Sequence, residues 1–297
     1  MIWLIGCKGM LGTEIARQFA QNNIPFIGTD REVDITDPAA LEQFVQQQKD
    51  SITWIVNCSA YTAVDKAEDD RELAAKLNED GPRNIASVAK KAGARLIHIS
   101  TDYVFDGTGK VPYTEDMPVA PLGVYGVTKA AGEQAVREVL KEKFYILRTA
   151  WLYGWDGKNF VYTMVKLMNS KDSFTVVQDQ QGTPTFAGDL ARAVRKFIEL
   201  GDTRTPAPYG VYHCTDLGQT NWYEFAKEIQ KVGMEQGHVT HKCAVRPCST
   251  AEYPTKAVRP AYSVLCKDKI QQALGVTLPG WQESLQVFMQ SPLYRKE

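Results

Sequence analysis

An apolar tetrad, Ile2-Trp3-Leu4-Ile5, runs straight into Gly6-Cys7-Lys8-Gly9-Met10-Leu11-Gly12 and then into an amphipathic stretch. A continuous apolar run of this kind reads as a strand buried on both faces, as in a parallel sheet. Glycines at every third position let the chain turn tightly and let backbone amides close on a pyrophosphate, which then sits at the positive end of the next helix. A glycine-rich turn alone need bind nothing. Its place between strand and helix makes it a dinucleotide fingerprint, and so does a second apolar run ending in Thr29-Asp30, where an acidic ribose ligand belongs. We therefore expect Gly6, Gly9, Met10, Leu11, Gly12 and Asp30 to hold the cofactor. Asp30 suits the 2′-hydroxyl of NAD and Arg31 the 2′-phosphate of NADP, so the choice between NADH and NADPH stays open. Asp34 and Ile35 stand where they would flank an adenine, although a cap from Thr36 or Asp37 on the following helix explains that stretch equally well.

The same rhythm of short apolar runs and longer helical patterns continues through the first two thirds of the chain. Strands are expected at Ile2 to Ile5, Pro25 to Gly28, Ile52 to Asn57, Arg95 to Ser100, Phe144 to Arg148 and Gly210 to Cys214. Helices are expected at Gly9 to Gln21, Pro38 to Lys49, Arg71 to Lys91, Val124 to Lys141 and Gly188 to Leu200. After about residue 150 the alternation loosens, with a helix from Asn159, a strand at Phe174 to Gln178 and a helix from Asn221. The expected fold is α/β: a Rossmann-type, doubly wound parallel sheet from residues 1–150, with about 186–215 crossing back. Residues 151–185 and 216–297 would form a smaller C-terminal substrate-binding lobe.

Lys plus Arg number 34 against 35 for Asp plus Glu, and 44% of the 297 residues are apolar, so disorder and polyanion binding are both disfavoured. A small-molecule partner is expected, with no nucleic acid and no membrane. Without a basic leader or a long apolar segment, the protein is expected in the cytoplasm. Its six cysteines would then be free thiols.

The fourth expected strand ends in Ser100-Thr101-Asp102-Tyr103, and Tyr125-Gly126-Val127-Thr128-Lys129 puts a phenol and an ammonium four residues apart on one helix face. Hydride delivery to a ketone builds negative charge on oxygen, which must be stabilised and protonated. A tyrosine titrates too high to do this easily, but a neighbouring ammonium can lower its pKa by roughly 1–3 units. Tyr125, Lys129 and Thr101 are therefore the expected catalytic set.

These residues and the glycine run resemble the extended short-chain dehydrogenase/reductases. Within them, longer strings are similar to the dTDP-4-dehydrorhamnose reductase branch: Asn57-Cys58-Ser59-Ala60-Tyr61-Thr62-Ala63-Val64-Asp65-Lys66-Ala67-Glu68, Ser100-Thr101-Asp102-Tyr103-Val104-Phe105, Arg148-Thr149-Ala150-Trp151-Leu152-Tyr153, Asp179-Gln180-Gln181-Gly182-Thr183-Pro184-Thr185 and Arg259-Pro260. The resemblance implies NAD(P)H-dependent reduction of the C4 keto group of dTDP-4-dehydro-L-rhamnose. Tyr125 would be the proton donor, Lys129 its partner and a ligand of the cofactor, and Thr101 would tune the site. It also implies that Ala60, Tyr61 and Thr62 line the nicotinamide half of the cofactor. Thr101, Asp102, Tyr103, Val64 and Trp151 would surround the sugar, and Asn159 and Arg259 would hold the nucleotide.

The chain departs from the pattern at Cys58-Ser59, where the branch often has Ala-Ala, and at Tyr262, where it has Asn. Some members bridge subunits with magnesium through glutamates. Glu14 fits one such position but Asp189 stands near the other, so no metal is predicted, and a homodimer is compatible with this reading rather than required by it.

Three competing readings remain. A 4,6-dehydratase would need a second acid after Asp102, where this chain has Tyr103; an epimerase is harder to exclude by motif, although the resemblance to the reductase strings argues against it, and another nucleotide-sugar reductase of the family is a further alternative. A non-catalytic dinucleotide-binding subunit, resembling the regulatory subunit of methionine adenosyltransferase, can retain the same trio. Finally, His238, His241, Cys243 and Cys248 gather potential zinc ligands, but their spacing is not that of a zinc finger or ribbon.

Overall fold

The computed structural model describes residues 1–294; positions 295–297 of the expected lobe lie outside the described residues. In chain order the first half runs β1 (Ile2–Ile5), α1 (Met10–Gln21), β2 (Phe26–Thr29), α2 (Pro38–Gln46), β3 (Trp54–Asn57), α3 (Val64–Ala67), α4 (Arg71–Ala75), a π-turn (Lys76–Asp80), α5 (Gly81–Ala92), β4 (Arg95–Thr101), a 3-10 turn (Asp102–Val104), α6 (Val124–Leu140) and β5 (Phe144–Thr149). The second half runs β6 (Leu152–Tyr153), α7 (Phe160–Ser170), β7 (Ser173–Val177), β8 (Gln181–Gly182), β9 (Thr185–Phe186), α8 (Ala187–Gly201), β10 (Gly210–His213), β11 (Thr220–Asn221), α9 (Trp222–Glu235), β12 (Ala244–Cys248), a 3-10 turn (Thr250–Glu252), α10 (Asp268–Leu274) and α11 (Trp281–Gln290). Among the described residues, no helix is long and apolar enough to cross a membrane.

Six strands form one sheet in the order β10-β5-β4-β3-β1-β2, and every neighbouring pair is parallel. Period-two alternation explains why both faces are covered. On β1, Ile2 and Leu4 enter a core with α1, α8 and α10, while Trp3 and Ile5 enter the opposite core with Leu41, Ile85 and Val136 of α2, α5 and α6. This is the expected Rossmann-type arrangement. The chain leaves β1 towards β2 and returns to β3 on the other side, so the direction reverses between β1 and β3 and opens a crevice at their carboxyl ends. Register aligns those ends: Ile5 pairs with Thr29 and with Asn57, and Thr101 pairs with Thr149.

Several boundaries differ from expectation for local reasons. The single helix expected from Arg71 to Lys91 is broken by the π-turn. Pro82 has no N–H to return to the carbonyl of Asn78, so the helix widens there. The expected second strand at Pro25 to Gly28 lies one residue later, and the helix expected from Pro38 to Lys49 stops at Gln46. The tail is not wholly part of the lobe. Ile270, Leu274 and Leu278 pack in the α1/α8 core of the first half, because α10 offers its apolar side to α8 and β10. The lobe's own core joins Met164 and Met168 of α7 to Phe225 and Ile229 of α9 and Phe288 of α11.

A buried ion pair fastens α6 to the sheet. Both Glu133 oxygens accept from Arg148 of β5, at 2.8 Å from Nε and 2.7 Å from Nη2, and Ser100 of β4 donates to Oε1 at 2.6 Å. Replacing Glu133 by Ala would strand the Arg148 charge, which is 1% exposed. The expected cost is about 3–5 kcal/mol. A denaturant midpoint that does not fall would show that the pair does not hold the helix.

Candidate active site

The turn between β1 and α1 is held by its own backbone. Gly6 and Cys7 donate to the Thr29 carbonyl at 2.8 and 3.0 Å, and Gly9 donates to the Gly6 carbonyl at 3.1 Å. Gly6 has φ +76°, and a Cβ on Gly12 would lie 2.0 Å from the Gly6 oxygen, so neither position accepts a side chain without moving backbone. Gly9 caps α1 without a side-chain bond. The amides of Met10, Leu11 and Gly12, at the start of the helix, have no intrahelical acceptor and suit an anionic ligand. Asp30 follows β2 at the same edge, and its amide donates to Glu32 at 2.9 Å. Asp34 is spent on a local turn, accepting from the amide and hydroxyl of Thr36, both at 2.8 Å. Asp37 caps α2. Ile35 is buried, and its carbonyl accepts from Asn84 at 3.1 Å.

The three expected catalytic residues converge where α6 crosses the end of β4. Gly126 permits this approach, since a Cβ there would lie 2.2 Å from the Tyr103 carbonyl oxygen. Lys129 is 2% exposed and donates from Nζ to the Ile99 carbonyl at 2.7 Å. Thr101 donates to Asp102 Oδ1 at 2.9 Å and accepts from the Tyr103 amide at 3.2 Å. The Tyr103 ring meets the Tyr125 ring edge-on, with centroids 5.5 Å apart.

Burial sets the electrostatics. It pulls Lys129 down to about 8, against the opposing influence of Glu133 and Cys58. It pushes Asp102 up to about 6, although hydrogen bonds from Ser263 and Thr101 resist this. Tyr125 also moves up, through burial first, with a hydrogen bond shared with Thr101 opposing and Asp102 and Tyr103 reinforcing. The expected lowering of Tyr125 by Lys129 is therefore overturned: withdrawal from water raises the phenol, and the ammonium is turned to the Ile99 carbonyl instead. At neutral pH the phenol keeps its proton.

Ala60-Tyr61-Thr62 follows β3, at the crevice. Asn78, which we did not anticipate, holds it there. Its Oδ1 accepts from the Tyr61 amide at 2.8 Å, and its Nδ2 donates to the Tyr61 carbonyl at 3.1 Å and to Thr128 Oγ1 at 3.2 Å. Only the break signalled by Gly81-Pro82 hints in the sequence that Asn78 lies on a distorted turn. The Tyr61 hydroxyl donates to Asp70 at 2.8 Å.

On the sugar side, Val64 opens α3 and is half-buried. Arg259 donates from Nη1 to the Tyr103 hydroxyl at 2.9 Å and pairs with Asp65. Trp151 has φ +47° and stacks on Trp222 at 3.6 Å. One ring face is thus committed to packing between segments of the lobe. Asn159 caps α7, accepting from Tyr162 at 3.2 Å and donating to Gly154 at 2.8 Å, so its amide is occupied locally.

The residues considered for metals have other partners. Glu14 pairs with Arg17, and Asp189 pairs with Arg192 and accepts from Ser284 at 2.6 Å. His238 bonds the Met289 carbonyl, His241 faces Asp172, and Cys243 and Cys248 are buried free thiols. Among the described residues, no group of three or more His, Cys, Asp or Glu could hold a metal ion.

Residues 1–293 match the family model described as RmlD substrate binding domain. A dTDP-4-dehydrorhamnose reductase of Streptomyces griseus is 41% identical over 95% of this chain and 91% of its own. Among solved structures, a dTDP-4-dehydrorhamnose reductase from Clostridium acetobutylicum superposes with TM-score 0.89 and 43% identity, covering 97% of this chain and 98% of that one. The Bacillus anthracis dTDP-4-dehydrorhamnose reductase in complex with NADP gives TM-score 0.88 and 37% identity, covering 97% of each.

Lys129 is charged below about 8 and neutral above it. Dinucleotide affinity that depends on this charge should hold up to neutral pH and fall as pH rises through that value. Lys129→Arg, whose cation does not titrate in this range, should lack the alkaline fall in a binding titration; the same fall in both proteins would assign it to another group.

Proposed function

This chain belongs to the RmlD substrate binding domain family, and on that premise we propose that it reduces the C4 keto group of dTDP-4-dehydro-L-rhamnose to dTDP-L-rhamnose, using NADPH or NADH. The observation that carries the reading is the placement of Tyr125 and Lys129 one turn apart on α6, against Thr101 at the carboxyl end of β4.

The first turn of α1 fits a dinucleotide. Its amides are free, and its glycines leave a cradle that a Cβ on Gly12 would fill. Gly6, Gly9, Met10, Leu11 and Gly12 would hold the pyrophosphate, Asp30 the adenosine ribose, and Ala60, Tyr61, Thr62 and Lys129 the nicotinamide end. When bound, the dinucleotide supplies the hydride.

The chain's own residues manage the proton. Tyr125 is kept protonated by burial and gives its proton to the developing oxyanion at C4. Thr101 supplies a hydrogen bond at the same oxygen, while Lys129, held to the Ile99 carbonyl, serves the nicotinamide end of the cofactor. Tyr103, lying edge-on to Tyr125, shields that proton transfer from water. Asp102 is followed by Tyr103 and not by a second acid, which favours reduction over elimination of water. We place this chemistry in the cytoplasm, where free cysteines are stable.

Tyr125→Phe should leave cofactor binding near normal and lower turnover by ~10²–10⁴; undiminished turnover would sink the assignment. Asp30→Ala should weaken NADH more than NADPH, because only the former needs its 2′-hydroxyl read. Equal losses in fluorescence titrations with the two cofactors would mean that Asp30 does not read the ribose. A folded protein that oxidises neither cofactor with the 4-keto sugar would favour the non-catalytic binding subunit instead.

A further inference from the structure

One acidic residue outside the catalytic set lies at a junction of the site. Asp65, on the short helix α3 after the Ala60-Tyr61-Thr62 segment, uses both oxygens on the distant segment 253–260. Its Oδ1 accepts from the Ala257 amide at 3.0 Å, and its Oδ2 pairs with Arg259. Ala257 is buried while its neighbours Lys256 and Val258 are exposed, so the segment is attached at few points. A second link ties Lys256 to Asp69. Beyond Arg259 the segment is secured by the backbone, with Tyr262 donating to Gly107 at 3.0 Å and Ser263 to Gln181 at 2.8 Å.

Hydrogen-bond accounting gives this junction a direction. The Tyr103 hydroxyl accepts from Arg259 Nη1 at 2.9 Å, so its own proton remains to be donated. A guanidinium carries five N–H donors, and two contacts, to Tyr103 and Asp65, leave donors for the oxygens of an anionic group such as a phosphate. The Tyr103 ring in turn rests edge-on against Tyr125. Asp65, Arg259, Tyr103 and Tyr125 thus form a continuous chain from segment 253–260 to the phenol on α6.

We propose that Asp65 is a positioning residue for substrate: its carboxylate orients Arg259 against Tyr103, so that the guanidinium meets the diphosphate of the nucleotide sugar and the Tyr103 hydroxyl meets a sugar oxygen. The proposal rests on the nucleotide-sugar reading above. Asp65 touches neither substrate nor cofactor; it acts through Arg259, and its charge is the active feature. The hydrogen bond to Ala257 is separable, because an amide side chain still supplies that acceptor.

The test compares Asp65→Asn, Arg259→Met and the double variant, with calorimetric binding of dTDP and steady-state reduction as separate readouts. Thermal midpoints establish that each variant is folded. Asp65→Asn should weaken dTDP binding and raise KM for the 4-keto sugar by roughly fivefold or more, the upper range for a partly exposed charge pair. It should leave kcat within about twofold and dinucleotide affinity unchanged. In the Arg259→Met background the same substitution should have no further effect, since its partner is gone. Wild-type affinity for dTDP in Asp65→Asn, or an equal loss in both backgrounds, would overturn the proposal. If the wild type binds dTDP but reduces no 4-keto sugar, the catalytic reading fails, and the binding data alone still decide the role of Asp65.

Discussion

The site depends on one buried carboxylate. Glu133 receives Ser100 from β4 and Arg148 from β5, and this fixes the height and rotation of α6 over the sheet. Lys129 is one turn earlier on the same helix and Tyr125 one turn before that, so rotation that satisfies Glu133 also turns both towards the end of β4. A buried pair is weak evidence for net stability, because both charges lose their water. Its contribution here is geometric: a helix held only by apolar contacts could slide, whereas three hydrogen bonds to one carboxylate define a single docking.

The fold was largely legible because its determinants are local. The apolar runs at Ile2, Ile52, Arg95 and Phe144 are strands buried on both faces, and their glycine, proline and capping neighbours mark the turns. Less legible were features decided across the chain. The return of Ile270 and Leu274 to the first core follows from an unmet apolar face on α8, which no pattern within 265–280 encodes. The π-turn interrupts a helix that reads as continuous in the sequence, and its consequence, Asn78 reaching back to Tyr61, depends on a contact between separate elements. At the site, motif spacing placed Tyr125, Lys129 and Thr101, but not the balance between burial and charge that keeps the Tyr125 proton in place.

That balance extends below the catalytic residues. His98 on β4 is fully buried and faces Asn57 at 3.1 Å from Nδ1. Burial, followed by the Lys129 charge, pushes its pKa well below the usual imidazole value, so it stays neutral at physiological pH. The Arg148 charge is matched by Glu133, which also lies within reach of Lys129. A neutral histidine and a matched arginine fill the floor with polar groups without adding an unpaired charge beneath the site.

The link between the two halves follows a similar economy. The short β6/β9 pairing carries the chain from the sheet into the lobe. It is stitched down by Thr185 donating to the Ala150 carbonyl at 2.7 Å and by the Phe186 amide donating to Asp216 at 3.1 Å. Asp216 is almost fully buried and pushed up to about 7 by loss of water, yet that backbone donor retains it. The lobe is therefore joined at its root by buried polar bonds that a ligand cannot replace. Segment 253–260 is different: it meets the first half through ion pairs of Asp69 with Lys256 and of Asp65 with Arg259, whose guanidinium keeps further donors for an anionic ligand. Freedom to move is then concentrated in that exposed segment, while Tyr125 and Lys129 stay on a helix docked by the buried Glu133 bonds.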